Sequence, residues 1–177
     1  ANLGGQPLKL GLDLSGGVHF LLEVDVETAL NDKTEGLLNS YRKKFRTEKI
    51  SYSQSQVIDK QLIFVFRDQD SFSRAKDMFF DDSFTATGLQ YDLEESASTQ
   101  TLKLAYSDLA IKELRDYAVQ HNLMTLRNRV NELGVSEPVV QRQGANRIVV
   151  ELPGVQDTTS AKKIIGKTAN LEFRLEA

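Results

Sequence analysis

Cysteine is absent from the 177 residues, and with it go thiol nucleophiles, thiolate metal sites and disulfides. The redox compartment stays open. Long apolar runs are also missing. The longest, VHFLL and LIFVF, fall far short of the roughly 20 residues that a bilayer-crossing helix needs, so the isolated chain is expected to be soluble. No charge dominates: 22 basic against 25 acidic residues give a formal net charge of −3, no general pull toward nucleic acid or an anionic membrane. Histidine occurs only as His19 and His121, expected on different lobes and without ligand spacing, so no metal site is expected. A G-x-S-x-G elbow is missing too, which removes a common framework for a Ser-His-Asp hydrolase. The opening ANLGGQP lacks an initiator Met, a basic n-region and an apolar h-region, and reads as an internal boundary rather than a signal peptide.

What is present is ordinary globular composition. With 40% hydrophobic and 27% charged residues, the chain should bury a core without metal or cross-link. In VHFLLEV, Val18, Phe20, Leu22 and Val24 alternate with His19, Leu21 and Glu23, the period of a strand with one buried face. From Val26 the period lengthens. Leu30, Leu37, Leu38, Tyr41 and Phe45 recur at helical spacing, and basic residues from Arg42 to Lys49 suit a helix C-terminus. ISYSQSQVI and QLIFVFR flank Asp59-Lys60 as a hairpin, without the Asn-Gly or Asp-Gly that marks the tightest turns. DQDSFSRAKDMFF predicts a short capped helix on Phe72, Ala75, Met78 and Phe79, and TATGLQYDL a closing strand.

The order then repeats. TLKLAY alternates as a strand, and Ser107 with Asp108 caps a long helix on Ile111, Leu114, Ala118, Leu126, Val130 and Leu133, ended by Gly134. VSEPVVQRQ and RIVVEL form a hairpin across GAN, Pro153-Gly154 breaks the chain, DTTSAKKIIGK caps a short helix, and ANLEFRLEA is a last strand. The expected fold is α+β: tandem ferredoxin-like βαββαβ lobes with antiparallel sheets, helices on one face of each. The first lobe takes residues 1–92, EESASTQ supplies a linker at 93–100, and the second lobe takes 101–177.

Three features invite a chemical reading. Gly16 and Gly17 could expose backbone N–H groups to a phosphate, as in a nucleotide-binding enzyme, but phosphate loops open into a helix and this pair opens into a strand. The plainer role is a positive-φ turn or a close backbone approach. Asp13 alternates with Leu12 and Leu14, so its carboxylate should leave the apolar face and cap the glycine turn. Arg127, Arg129, Arg142 and Arg147 cluster around a helix end and hairpin, as an RNA-binding tandem module might require. Neither QLIFVFRD nor RIVVELPG has the aromatic strand of an RNA-recognition domain, so carbonyls and Glu132 or Glu137 are the expected partners.

Two stretches carry a family resemblance. GLDLSGGVHFLLEVD presents Gly11, Leu12, Asp13, Leu14, Gly16 and Gly17, and the block from LRNRVNELG to LPGVQD presents Arg129, Val130, Asn131, Gly134, Val135, Glu137, Pro138, Gln141 and Gly144. Together they resemble the SecD family of bacterial protein-export membrane proteins, in the resistance-nodulation-division superfamily. The resemblance is sharp over about a third of the chain and rests on element order alone from roughly 46 to 100. It implies the base part of the first periplasmic domain of a multi-pass inner-membrane protein, without that protein's transmembrane helices, mobile head lobe or proton-coupling charges. The implied job is mechanical and not enzymatic, with no cofactor, nucleic acid or small-molecule substrate. The implied partners are SecF, the SecYEG translocon, YajC as a further candidate, and a translocating unfolded polypeptide, with proton-motive force as the energy source.

Overall fold

The computed structural model describes residues 17–166 and 171–173. In chain order the elements are β1 (Gly17–Val24), α1 (Val26–Thr47), β2 (Tyr52–Ile58), β3 (Gln61–Phe66), α2 (Gln69–Ser83), β4 (Phe84–Thr85) and β5 (Gly88–Leu89). They continue as β6 (Tyr91–Ser96), β7 (Thr101–Tyr106), α3 (Asp108–Glu132), β8 (Val139–Gln143), β9 (Arg147–Pro153), α4 (Thr158–Ile165) and β10 (Leu171–Phe173). The chain divides into two compact units. A split unit joins the N-terminal segment through Val26 to the chain from Leu114 onward, and a continuous unit takes Glu27–Glu113.

The split unit is built on an antiparallel sheet in the order β10–β1–β9–β8. β1 is central, with Gly17 opposite Pro153 through Glu23 opposite Arg147 on one side, and Val24 opposite Leu171 on the other. Its alternation puts Val18, Phe20, Leu22 and Val24 at 2% exposure or less, against Ile148, Val150 and Leu152 of β9. From α3 come Val119, Leu123, Leu126 and Val130, spaced to share one helical face. Each such side chain contributes about 1.5–3 kcal/mol relative to exposure. Asn122 is buried on this face, and its amide donates to the Ala118 carbonyl at 2.8 Å, so the helix satisfies it internally.

The continuous unit has its own antiparallel sheet, β2–β3–β7–β6, and a more aromatic core. Phe45 of α1 lies 5.0 Å from Phe64 and 5.6 Å from Phe66, both edge-on, and 5.7 Å from Phe79. Edge-to-face pairs add about 0.5–1.5 kcal/mol each beyond area burial. Asp68 caps α2 by accepting from the Ser71 N–H at 2.7 Å. The β2–β3 turn is closed by Asp59 and Lys60 at φ +49° and +63°, the left-handed pair that a two-residue turn needs and that Asn-Gly supplies at less cost.

The element types largely agree with the sequence reading, but the division into lobes does not. β1, expected in the first lobe, lies in the sheet of the C-terminal strands, and β7, expected to open the second lobe, lies between β3 and β6. The expected linker at 93–100 is the end of β6 and a tight turn, with Ser96 opposite Thr101 and Gln100 at φ +52°. TATGLQYDL is not one strand: it runs from the β4–β5 hairpin into β6. His19 and His121 therefore share the split unit. Leu133, expected on the buried stripe of α3, is 39% exposed. Alternation reveals which face of a strand is buried but not which strand lies beside it, and β1 and β7 alternate equally well. Only residues 171–173 of the expected last strand are described.

Candidate functional site

Of the first motif, Gly11, Leu12, Asp13, Leu14 and Gly16 lie outside the described residues. Gly17 heads β1 and is buried, and its backbone does not use the left-handed region. A close approach requires the glycine. A Cβ at this position would sit 3.2 Å from both the Leu152 carbonyl oxygen and the Pro153 Cα, backbone atoms of the neighbouring strand. Gly17 thus lets β9 close onto the first residue of β1. It opens a strand and not a helix, so it does not itself begin the helix N-terminus that a phosphate loop uses.

The second motif winds from the end of α3 into the β8–β9 hairpin. Val130 is fully buried, and Val135 packs against the same core. Gly134 at φ +68° ends the helix, its N–H donating to the Asn131 carbonyl at 3.0 Å. Glu137 is exposed at φ +51° just before Pro138. A non-glycine residue held there costs about 1–3 kcal/mol. Sequence reasoning missed this strain, for which the Glu-Pro pair is only a weak signal. Gln141 is exposed on β8 opposite Val149, and Gly144 turns the hairpin at φ +70°.

The arginines of this region hold the unit together. Arg127 Nε donates to the Val140 carbonyl at 3.1 Å, tying α3 to β8. Arg142 Nε donates to the Gly144 carbonyl at 3.0 Å and Nη2 to Ala145 at 2.6 Å, while Nη2 also meets Asp116 of α3 at 2.8 Å. The expected carbonyl partners are found, but the carboxylate of Arg142 is Asp116 and not Glu132 or Glu137. Neither Arg129 nor Arg147 is free. His19 Nδ1 lies 3.2 Å from Glu151 Oε1, its cross-strand partner, and the His121 ring stacks on Tyr117 at 6.2 Å.

In the continuous unit an open depression of about 380 Å³ is lined by Glu48, Ile50, Arg74, Asp77, Met78, Asp81 and Asp82. Beside it the Tyr41 hydroxyl donates to Asp82 at 2.7 Å, and Lys44 lies 3.4 Å from the same carboxylate. Burial, then the hydrogen bond to Asp82, pushes the Tyr41 hydroxyl well above its ordinary range. Burial and the neighbouring Tyr91 raise Tyr106 to about 12. Among the described residues no group of three or more His, Asp or Glu is placed to hold a metal ion. The motif residues that are described fall in one unit, on β1, the end of α3 and the β8–β9 hairpin.

Known proteins locate the same two stretches. Residues 2–27 match the family model described as the SecD/SecF GG motif, and residues 119–177 match the N-terminal P1 domain of protein translocase subunit SecDF. Among similar proteins, protein translocase subunit SecD of Pseudomonas aeruginosa is 50% identical over 99% of this chain and 28% of that protein. SecD of Escherichia coli K12 is 47% identical over 99% of this chain and 28% of its own length, and SecD of Rickettsia bellii 36% over 95% and 31%. The chain therefore spans under a third of these relatives. No solved structure matches it. The two matched stretches correspond closely to the two parts of the split unit, and the Glu27–Glu113 unit lies between them.

Proposed function

Since the chain belongs to the SecD family of protein translocase subunits, we propose that it is a non-catalytic, mechanical module of such a subunit. It would stand on the periplasmic side of the inner membrane and work with SecF, SecYEG and YajC on an unfolded translocating chain, driven by proton-motive force. The observation that supports this reading best is the position of β1. The strand that follows the GG motif is clamped on both sides, by β9 and by β10. Tension arriving through the motif would pull along a central strand and load the hydrogen bonds on both its sides together in shear, so the whole sheet would move as one body. Asp13 and Gly16 would shape the entry to that strand.

The strand order supports a finer proposal for the fold. β10–β1–β9–β8 with α3 and α4 fits a ferredoxin-like βαββαβ plan, interrupted after β1 by the continuous unit. β6–β7–β3–β2 with α1 and α2 fits the same plan with its first strand moved to the end. The test is complementation of protein export in cells depleted of the subunit. Full-length protein carrying Asp13→Ala is expected to impair secretion, while the 177-residue chain with the same change melts at its unaltered temperature. Normal secretion would remove Asp13 from the mechanism. A lowered melting temperature would make its role structural.

A further inference from the structure

The continuous unit carries an exposed apolar platform that its core does not use. Phe80 and Phe84 are each 58% exposed, Leu89 51% and Leu109 37%. Phe80, Phe84 and Leu89 are contiguous, and Leu109 lies against the hairpin at Gly88. Phe80 and Phe84 meet edge to face at 4.9 Å, and Phe84 is the cross-strand partner of Leu89 in the β4–β5 hairpin. Leu109 leans on the hairpin so closely that a Cβ at Gly88 would come within 2.9 Å of its Cδ2. Half-exposed side chains of this size present about 400 Å² of apolar surface in all, the size of the largest patch on an ordinary monomer, which is often functional.

Polar contacts hold the platform in place. The Gln90 N–H donates to the Ser83 carbonyl at 2.9 Å, and the Ser107 N–H to the Gln90 carbonyl at 2.8 Å. Ser107 Oγ donates to the Leu89 carbonyl at 2.7 Å, and Gln90 Nε2 to the Asp82 carbonyl at 2.6 Å. A surface fixed this way binds without first being ordered. Its rim is acidic. Asp77 shares a helical face with Phe80 at three-residue spacing, Asp81 lies in the last turn of α2 just before the extended C-cap Phe84, and Asp108 precedes Leu109 at the start of α3. The basic side chains of α2 are turned to other carboxylates, Lys76 to Glu95 at 2.6 Å and Arg74 to Glu48 and Asp70.

We propose that this face docks a polypeptide segment whose apolar side chains are flanked by lysine or arginine. The aromatic pair and the two leucines supply the affinity, and the carboxylate rim selects the flanking charge. The surface is independent of the family assignment. The test is calorimetric titration of the 177-residue chain with the capped peptide Lys-Lys-Leu-Phe-Leu-Ile-Phe-Lys-Lys and with its counterpart bearing Asp in place of each Lys. The basic peptide should bind with a micromolar dissociation constant, the acidic one about tenfold more weakly or worse. Phe84→Ser, an exposed change that should leave the circular dichroism spectrum unaltered, should weaken binding by about tenfold or more. The double variant Asp77→Lys, Asp81→Lys should keep the platform but lose the preference for the basic peptide. Equal binding of both peptides, no binding, or full binding by Phe84→Ser would overturn the proposal. So would a wild-type dimer in sedimentation that Phe84→Ser dissociates, because a second copy would then own the face.

Discussion

Gly17→Ala and Gly36→Ala are the same chemical change with opposite expected signs. At Gly17 the new methyl would stand 3.2 Å from the Leu152 oxygen and the Pro153 Cα, a few tenths of an ångström inside ordinary contact. Both are backbone atoms of a ladder, so neither can withdraw without loosening Gly17 from Pro153 and Val18 from Leu152. Overpacking of this kind costs about 1–3 kcal/mol. Against it stands about 0.4–1 kcal/mol gained by restricting the unfolded chain, which leaves a net loss of about 1–2 kcal/mol. Gly36 lies inside α1 with nothing within 4 Å of its notional Cβ. Alanine there should stabilise by about 0.5–1 kcal/mol. Urea titration followed by far-UV circular dichroism reads both changes, and the chain has no tryptophan to serve instead. A Gly17→Ala chain as stable as the parent would refute the close-approach account of the motif's second glycine.

Other consequences are equally specific. Phe45→Ala removes the centre of the aromatic core of the continuous unit and should cost about 3–5 kcal/mol, seen as loss of its urea transition; a change below 1 kcal/mol, roughly the cost of a surface substitution, would contradict the packing described. Glu137→Gly relieves a left-handed backbone and should stabilise the chain by about 1 kcal/mol; if that strain serves export, the full-length variant will secrete more slowly despite its greater stability. Tyr41 and Tyr106 hold their protons more tightly when folded than the ordinary value of 10.0. Between about pH 10 and their raised values the folded state binds more protons than the unfolded one, so stability falls as pH rises, by up to about 1.4 kcal/mol per pH unit for each tyrosine. The continuous unit should therefore lose stability from pH 10 toward 12, and Tyr41→Phe should flatten that loss. A flat parental profile would count against the buried hydroxyl.

What was legible in the sequence follows from the range of the forces involved. Caps and periods are local, so Asp68, Ser107, the alternation of β1 and the buried face of α2 could all be read directly. Strand partnership is not local. Nothing within VHFLLEV says that its neighbours are Arg147–Pro153 and Leu171–Phe173 instead of the nearer QLIFVF. EESASTQ has the composition of a linker, yet the same small polar residues make a tight turn between β6 and β7, where Glu94 faces Lys103. A cross-strand charge pair about the turn was the available signal. Gly16 and Gly17 were expected to allow either a positive φ or a close approach, and Gly17 takes the second course, while Gly134 ends its helix at positive φ as its place in the sequence implied. The β4–β5 hairpin was missed because two-residue strands have no period to detect.

The 177 residues hold no cysteine, so a disulfide engineered between two of them has no competing thiol within this stretch. His19 and Glu151 face each other directly across β1 and β9, where opposed Cα atoms are about 4.5–5.5 Å apart, within the span of a disulfide. Full-length protein carrying His19→Cys and Glu151→Cys should form an intramolecular cross-link in nearly every molecule once oxidised. Cells relying on it should export protein at the parental rate, because the sheet is proposed to move as one body. Failure to cross-link would contradict the split unit, and export arrested by the cross-link and restored by reduction would contradict its rigidity during translocation.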